Sequence, residues 1–156
     1  ATPNDTSRVR LLGQAGQAAR NSGQSAQAER YYEQSVRLAE HLGDRTGQAR
    51  TLVYWGLIKQ STARLDTALI LFEKAKKLFE QQRSTETTYY RLYNDIGYTY
   101  QLQGNYQTGL RYFMKGLKLA EGQRDPFLTS LLNTGLGMYF MRQQQPRRAL
   151  PYLQQA

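Results

Sequence analysis

The chain contains no cysteine and a single histidine, His41. Without thiols it can form no disulfide bond, no zinc–thiolate centre and no cysteine nucleophile. One imidazole is very little material for a metal site or a Ser-His-Asp triad. The carboxylates Glu29 and Glu33 are flanked by Arg30 and Arg37, which predicts a solvated charged face rather than an acid/base pair. We therefore predict a protein that is not an enzyme and that holds neither a metal ion nor a cofactor.

Long apolar runs are also missing, since no stretch approaches the roughly 20 consecutive apolar residues of a transmembrane helix. The opening ATPNDTSRVRLL lacks the charged-then-apolar order of a secretory signal. Two compartments stay open: the cytoplasm, or an extracytoplasmic (periplasmic) location for a mature sensor domain. With 40% apolar residues and 12 tyrosines, the composition is that of a folded chain.

Basic residues outnumber acidic ones by 21 to 12, which gives a formal net charge of +9. A basic chain gains non-specific affinity for nucleic acid through counterion release. Here, however, the basic residues are spread along the whole chain with acidic residues between them, and no glycine-rich phosphate loop is present. Nucleic acid is therefore a disfavoured partner.

Four segments of the chain share one pattern of small and large residues. A glycine recurs at steps of 40, 41 and 40 residues. Twelve residues after each glycine comes a second small residue, and four residues later a large apolar one. The four sets are Gly16/Ala28/Tyr32, Gly56/Ala68/Phe72, Gly97/Gly109/Phe113 and Gly137/Ala149/Leu153.

Apolar residues at three- and four-residue steps run through these segments and predict amphipathic helices. Small residues where two antiparallel helices cross allow a close approach, and large residues fill the space beside them. Because one hairpin cannot bury its apolar stripe alone, neighbouring hairpins must pack together. The predicted helices are 6–21, 25–42, 46–62, 65–82, 86–103, 106–122, 126–143 and 147 to the end.

Local signals refine the last three helices. Asp125 can cap the seventh helix and Pro126 can occupy its first position. Pro151 lies inside the eighth helix and is predicted to kink or loosen it. Gly109 and Gly116 each cost about 1 kcal/mol relative to alanine, so the sixth helix should be either the most easily frayed or the most tightly packed.

The pattern resembles the tetratricopeptide repeat (TPR) family over essentially the whole chain. The generic family repeat has 34 residues, and the 40-residue period is similar to that of longer-helix relatives. Leu38 to Asp44 matches the Leu-Ala-Glu-x-x-Gly-Asp run typical of those relatives. The resemblance implies an all-α fold, a TPR-like α–α superhelix (solenoid) of four helical hairpins. We expect one domain over 1–156, with repeats near 6–43, 45–83, 85–122 and 126–156. We also expect this chain to be a fragment of a longer protein.

Such a superhelix presents a concave face lined by the first helix of each repeat. The position six residues before the repeat glycine holds Arg10, Arg50, Arg91 and Leu131. Three guanidinium groups at equivalent positions predict a ladder that could meet carboxylates at every third or fourth residue of an extended peptide. The simpler alternative is that these arginines are solvated helix formers near a helix start.

Other positions on this face carry amide, aromatic and apolar side chains, which suit contact with a peptide. The candidate peptide-binding residues are Arg10, Gln17, Arg50, Tyr54, Leu57, Arg91, Asn94, Tyr98 and Met138. The same face is predicted to include Val53, Gln101 and Thr134. Some relatives hold a terminal carboxylate with a basic residue and an asparagine four residues apart. The pairs here are Arg10/Gln14, Arg50/Tyr54 and Arg91/Asp95, so no such clamp is inferred.

We predict a non-catalytic module that binds a protein or peptide, and the arginine ladder favours an acidic one. The 40-residue period and the run from Gly43 to Arg50 resemble the N-terminal repeat arrays of bacterial signalling proteins of the histidine kinase type. That resemblance implies a sensory, input or scaffold region. One alternative is a structural scaffold that self-associates, for example as a homodimer, through the apolar stripe of Leu150 and Leu153. A basic nucleic-acid-binding surface is a further, less favoured alternative.

Overall fold

The computed structural model describes residues 3–156, with side chains from Asp5 onward. Within these residues the chain forms eight α-helices and no β-strand. They are α1 (Pro3–Asn21), α2 (Ser25–Leu42), α3 (Arg45–Ser61), α4 (Leu65–Gln81), α5 (Thr87–Leu102), α6 (Tyr106–Gln123), α7 (Pro126–Arg142) and α8 (Pro146–Gln154). All predicted helices are present, with ends that differ from the expected ones by at most three residues.

Consecutive helices pair into four hairpins: α1 with α2, α3 with α4, α5 with α6, and α7 with α8. The chain divides into two compact units, one ending at Ser84 and one beginning at Thr85. In the first unit α3 packs against both α2 and α1, and in the second α7 packs against both α6 and α5. Each unit therefore repeats one arrangement of two hairpins side by side, and the all-α fold class with four helical hairpins is confirmed. A single domain over 1–156 stays a prediction.

The glycine of each first helix lies against the large residue sixteen positions later. A Cβ atom added at Gly16 would come within 2.9 Å of three atoms of the Tyr32 ring. The same crowding holds between Gly56 and Phe72, while at Gly97 the added atom would lie 3.1 Å from the Phe113 ring. Any larger residue would push the two helices of the hairpin apart, because interior packing leaves no spare volume. In the fourth hairpin the corresponding partners are Gly137 and Leu153.

The turns inside the hairpins repeat as regularly as the helices do. One residue in each turn adopts the left-handed conformation: Gly23 (φ 74°), Ala63 (φ 59°), Gly104 (φ 78°) and Gln144 (φ 56°). Their spacing follows the same 40-residue period. Ala63 and Gln144 each carry a strain of about 1 kcal/mol that glycine avoids, so the fold imposes this conformation even where the residue type opposes it.

Two aspartates cap helices at the joins between hairpins. Asp125 accepts a hydrogen bond from the Leu128 backbone N–H at 3.1 Å, and Pro126 opens α7. This confirms the predicted cap. Asp44 does the same for α3, accepting from the Gly47 N–H at 2.8 Å. Both caps satisfy backbone donors that a helix start leaves unpaired.

Pro151 does not end the eighth helix, since α8 runs through it from Pro146 to Gln154. A proline at this point removes only one intrahelical hydrogen bond. The predicted kink or loosening at Pro151 stays a prediction.

The prediction that Glu29 lies on a simply solvated face is wrong. Lys59 of α3 is almost completely buried and donates from Nζ to Glu29 Oε2 of α2 at 2.6 Å. The same ammonium lies 5.9 Å from the Trp55 ring centroid. A buried lysine needs a partner charge, so this pair ties the first hairpin to the second. Glu33, by contrast, forms an exposed pair with Arg37 one turn along the same helix.

Two glycines of α6, Gly109 and Gly116, lie at close helix–helix contacts, and this generates the first prediction. A Cβ at Gly109 would lie 2.7 Å from the carbonyl oxygen of Gly97, a backbone atom that cannot move aside. Gly109→Ala should therefore lower the free energy of unfolding by about 1–3 kcal/mol, although alanine favours a helix by about 1 kcal/mol. Urea denaturation followed by circular dichroism measures the change.

Gly122 supplies the matched control in the same helix. An added Cβ there meets no atom within 4 Å, so Gly122→Ala should raise the free energy of unfolding by about 0.5–1 kcal/mol. If both variants shift stability in the same direction, close approach of α5 and α6 is not the reason for glycine at position 109.

Tyr32 generates the second prediction, because its hydroxyl is buried and has no hydrogen-bond partner among the described residues. Tyr32→Phe should raise the free energy of unfolding by about 1 kcal/mol near pH 8, since it removes an unsatisfied polar group. The equivalent residues Phe72 and Phe113 already carry this phenyl ring. Tyr106→Phe, which removes an exposed hydroxyl, should change stability by less than about 0.5 kcal/mol.

The same substitution should alter the dependence of stability on pH. Burial raises the pKa of Tyr32 to about 12, with Arg20 opposing the shift and Tyr54 adding to it. An unfolded tyrosine has a pKa of about 10. Between pH 10 and pH 12 the hydroxyl therefore ionises in the unfolded chain but not in the folded one, and the free energy of unfolding of the wild type falls over this range. The stability gap between Tyr32→Phe and the wild type should widen by about 1 kcal/mol between pH 8 and pH 11. A gap that stays constant would show that Tyr32 ionises normally.

Candidate functional site

A cleft of about 460 Å³ lies between α1 and α3 in the first unit. Both walls are first helices of their hairpins, as the repeat pattern predicts for a binding face. Its lining residues are Thr6, Ser7, Val9, Arg10, Gly13, Gln14, Gln17, Asp44, Gly47, Arg50, Thr51 and Tyr54. We call this the basic cleft.

Four of the candidate residues come together in the basic cleft: Arg10, Gln17, Arg50 and Tyr54. The sequence pattern thus places two guanidinium groups, an amide and an aromatic ring around one space. Leu57 is half-buried in α3 and does not line the cleft. The prediction that Val53 faces the groove is wrong, since Val53 is buried in the core.

The charge of the basic cleft comes from Arg10, which is exposed, and Arg50, which is half-buried. Among the described residues that line it, Asp44 is the one acidic residue, and its carboxylate already accepts the Gly47 N–H. The start of α3 lies at the same place, and a helix N-terminus favours negative charge. The cleft is therefore suited to an anionic group.

Buried hydroxyl groups hold the walls of the basic cleft together. The Ser35 hydroxyl of α2 lies 3.0 Å from the carbonyl oxygen of Val9 in α1 and 2.9 Å from Thr51 Oγ1 in α3. Thr51 itself donates to the Gly47 carbonyl at 2.9 Å. Because these groups are buried and paired, they fix α1 and α3 at a set separation.

Tyr54 is positioned by a ring below it. Its ring stacks on that of Tyr32, with centroids 6.4 Å apart and planes inclined by 26°. Since Tyr32 packs against Gly16, the contact that sets the first hairpin also orients an aromatic side chain of the cleft.

A second, smaller cleft of about 170 Å³ lies in the unit that begins at Thr85. It is formed by α5 and α7, again first helices of their hairpins, with one residue from α6. Its lining residues are Asn94, Tyr98, Gln101, Phe113, Leu131, Thr134, Gly135, Met138 and Arg142. We call this the apolar cleft.

Three further candidate residues, Asn94, Tyr98 and Met138, come together in the apolar cleft. Arg91 is exposed on α5 and does not line it. Leu131 occupies the repeat position that holds arginine in the other three repeats, and it contributes apolar surface. The ladder of three arginines stays a prediction.

The repeat pattern did not single out two residues that shape these clefts. Asp44 precedes a helix, so the capping rule used for Asp125 was the available signal. Gly135 lies where Tyr54 stands in the second repeat, and a Cβ there would come within 3.0 Å of the Phe113 ring. Its role depends on a contact with another helix, which spacing along one helix does not reveal.

Two further kinds of feature are absent from the described part of the chain. Within residues 3–156, no group of three or more acidic or histidine side chains is placed to hold a metal ion. No helix in the same range is both long enough and apolar enough to cross a bilayer.

The fold resembles several solved structures. The first is BtubC (BKLC) from P. vanneervenii, with a TM-score of 0.80 at 15% identity, over 94% of this chain and 60% of that one. A putative kinesin light chain of Podosopora anserina with nearly identical TPR-like repeats gives 0.74 at 16% identity, over 96% of this chain and 73% of that one. The N-terminal domain of stress-induced protein-1 (STI-1) from C. elegans gives 0.65 at 15% identity, over 86% and 98%. At these identities the likeness shows the fold alone, and the chain spans less than two thirds of the BtubC chain.

Sequence comparison assigns the family. None of the curated proteins matches this chain in sequence. Two models of the tetratricopeptide repeat match it, one over residues 7–81 and one over residues 90–123. Together these matches cover more than two thirds of the sequence and fall on the hairpins described above. The chain belongs to the tetratricopeptide repeat family, whose repeats generally mediate protein–protein interaction or scaffolding.

Proposed function

We propose that the chain is a non-catalytic interaction module whose basic cleft binds an acidic segment of a partner protein. The observation that carries the proposal is the convergence of Arg10 and Arg50 on one cleft of about 460 Å³. A planar guanidinium group binds a carboxylate through two parallel hydrogen bonds. Gln14 and Gln17 on the wall of α1 offer amides that can pair with a peptide backbone.

The two arginines should contribute unequally. Arg50 is half-buried, and a charge-assisted hydrogen bond in such a place is worth about 1.5–3 kcal/mol. Arg10 is exposed, where an ion pair is worth about 0–1 kcal/mol. Affinity should also fall as salt is added, because salt screens the attraction between the arginines and the carboxylates. The exposed pair at Arg10 should weaken more than the half-buried pair at Arg50.

The resemblance to bacterial sensor arrays extends the proposal to biological role. On that reading the module is the sensory, input or scaffold region of a signalling protein. Binding of a partner segment would shift the equilibrium between two states of the array, provided that the segment binds one state more tightly.

The third prediction tests the basic cleft with a fluorescent (Glu-Gly-Ser)4 peptide and its (Gln-Gly-Ser)4 counterpart. Arg50→Ala should weaken binding of the glutamate peptide by about 10-fold or more, and Arg10→Ala by about two- to fivefold. The glutamine peptide should bind weakly to every variant. Fluorescence anisotropy at low and at physiological salt measures the affinities.

Two variants control for net charge. Arg37→Ala removes the same charge from a side chain that is 77% exposed on α2, outside the cleft, so it should leave affinity almost unchanged. Asp44→Asn removes the negative charge from the cleft but keeps a good helix cap, so affinity should rise by about two- to fivefold. If Arg10→Ala and Arg50→Ala behave like Arg37→Ala, the two arginines are solvated side chains and the proposal fails.

A second candidate function, self-association as a scaffold, is favoured by one observation. Leu150 of α8 is 55% exposed, and Leu153 on the same helix is also exposed. Apolar side chains that cluster on one helix face can form a contact between copies.

The fourth prediction tests this alternative. If α8 mediates a homodimer, sedimentation velocity should show a dimer for the wild type and a monomer for Leu150→Lys, because a lysine cannot be buried there without a partner charge. Leu11→Lys changes an equally exposed leucine on α1 and serves as the control. A wild type that stays monomeric at about 100 µM rules out the scaffold reading, since stable homodimers associate well below that concentration.

A further inference from the structure

The apolar cleft differs chemically from the basic cleft. Its lining includes the large side chains Tyr98, Leu131 and Met138, together with Phe113 from α6. An acidic segment has less to bind there, because one arginine, Arg142, lines this cleft where two line the basic cleft. What it would accept must be sought in its few polar groups.

Gln101 carries the unusual feature of this cleft. The residue is 5% exposed, and its Nε2 has no hydrogen-bond acceptor among the described residues. Another polar group of the lining is differently placed, since the Thr134 hydroxyl donates to the Ser130 carbonyl at 2.9 Å. A buried amide donor without an acceptor is costly, so a ligand oxygen that meets Nε2 after a rotation of the Gln101 side chain towards the cleft regains that cost on binding.

The size of the cleft limits what can enter with that oxygen. Its volume is about 170 Å³, and an apolar cavity of about 150 Å³ in another protein accepts a benzene molecule. The cleft therefore suits one six-membered ring. Its rim is adaptable on one side, where exposed Met138 offers a flexible thioether that packs well on aromatic rings.

Another part of the cleft is held more firmly. The Arg142 guanidinium lies 5.3 Å from the ring centroid of Tyr98, an arrangement that stabilises both side chains. Tyr98 in turn packs against the buried cluster around Phe113 and Leu136. A ring that enters the cleft thus meets one ordered aromatic wall.

From these observations we infer that the apolar cleft binds a tyrosine side chain of a partner protein, with the phenol oxygen accepting a hydrogen bond from Gln101 Nε2. The inference rests on the proposed function as an interaction module and adds the kind of side chain recognised. A phenylalanine would fill the space but leave the amide unpaired. A carboxylate would satisfy the amide and could meet Arg142 at the edge of the cleft, but it loses far more hydration than a phenol oxygen when it enters.

The fifth prediction uses p-cresol and toluene, which are the side chains of tyrosine and phenylalanine without a backbone. In NMR titrations of the full chain, p-cresol should shift the Gln101 side-chain amide and the Met138 methyl signals. It should bind about two- to tenfold more tightly than toluene, the range expected for one hydrogen bond. Gln101→Met, which keeps a side chain of similar length but removes the donor, should bind both compounds equally.

Each other outcome overturns part or all of this inference. If neither compound shifts signals around the cleft, the cleft is not an aromatic site. If both bind the wild type equally, or if Gln101→Met keeps the preference for p-cresol, Gln101 does not select tyrosine. The experiment involves neither Arg10 nor Arg50, so its failure and failure of the acidic-segment proposal are separate results.

Discussion

Every hairpin of this chain depends on one contact, the packing of a backbone against a large side chain where a glycine leaves room. Tyr32 and Phe72 lie against Gly16 and Gly56 with no space for even one more carbon atom, and Phe113 lies almost as close to Gly97. Because packed helices cannot compensate for such a change without moving apart, this contact sets the separation of the two helices in a hairpin. It thereby sets where each first helix lies, and the first helices form the walls of both clefts.

The hairpins could be predicted from sequence because the glycine contact leaves a strict spacing. Glycine, second small residue and large residue recur four times in one order, so the errors of single signals cancel across the repeats. Local signals sufficed where a feature is built from neighbouring residues, as at Asp125 and Pro126. They failed at Glu29, whose partner Lys59 lies 30 residues away on another helix. Periodicity predicts which face of a helix is buried, but it does not identify which polar residue will meet another across that face.

The groove positions of the repeat place Arg10 with Arg50 in one cleft and Tyr98 with Met138 in the other. That these residues bind a partner stays a prediction. The burial of each groove position was harder to predict, since Val53 shares the groove face yet is buried. The pairing state of a buried group could not be predicted at all, since the open donor of Gln101 depends on every side chain around it. Spacing therefore indicates the face, while three-dimensional packing decides the chemistry.

The two clefts show how one framework can carry different chemistry. The repeat position of Arg10 and Arg50 holds Leu131 in the fourth hairpin, and the position of Tyr54 holds Gly135. The first change exchanges a charge for apolar surface, and the second removes a ring so that Phe113 reaches the cleft wall. Neither position takes part in the glycine contact of its hairpin, so such changes need not disturb the helix separation. In this chain most residues that line the clefts are therefore not those that set the hairpins, and Phe113 is the residue that does both, which allows each cleft to differ while the hairpins stay alike.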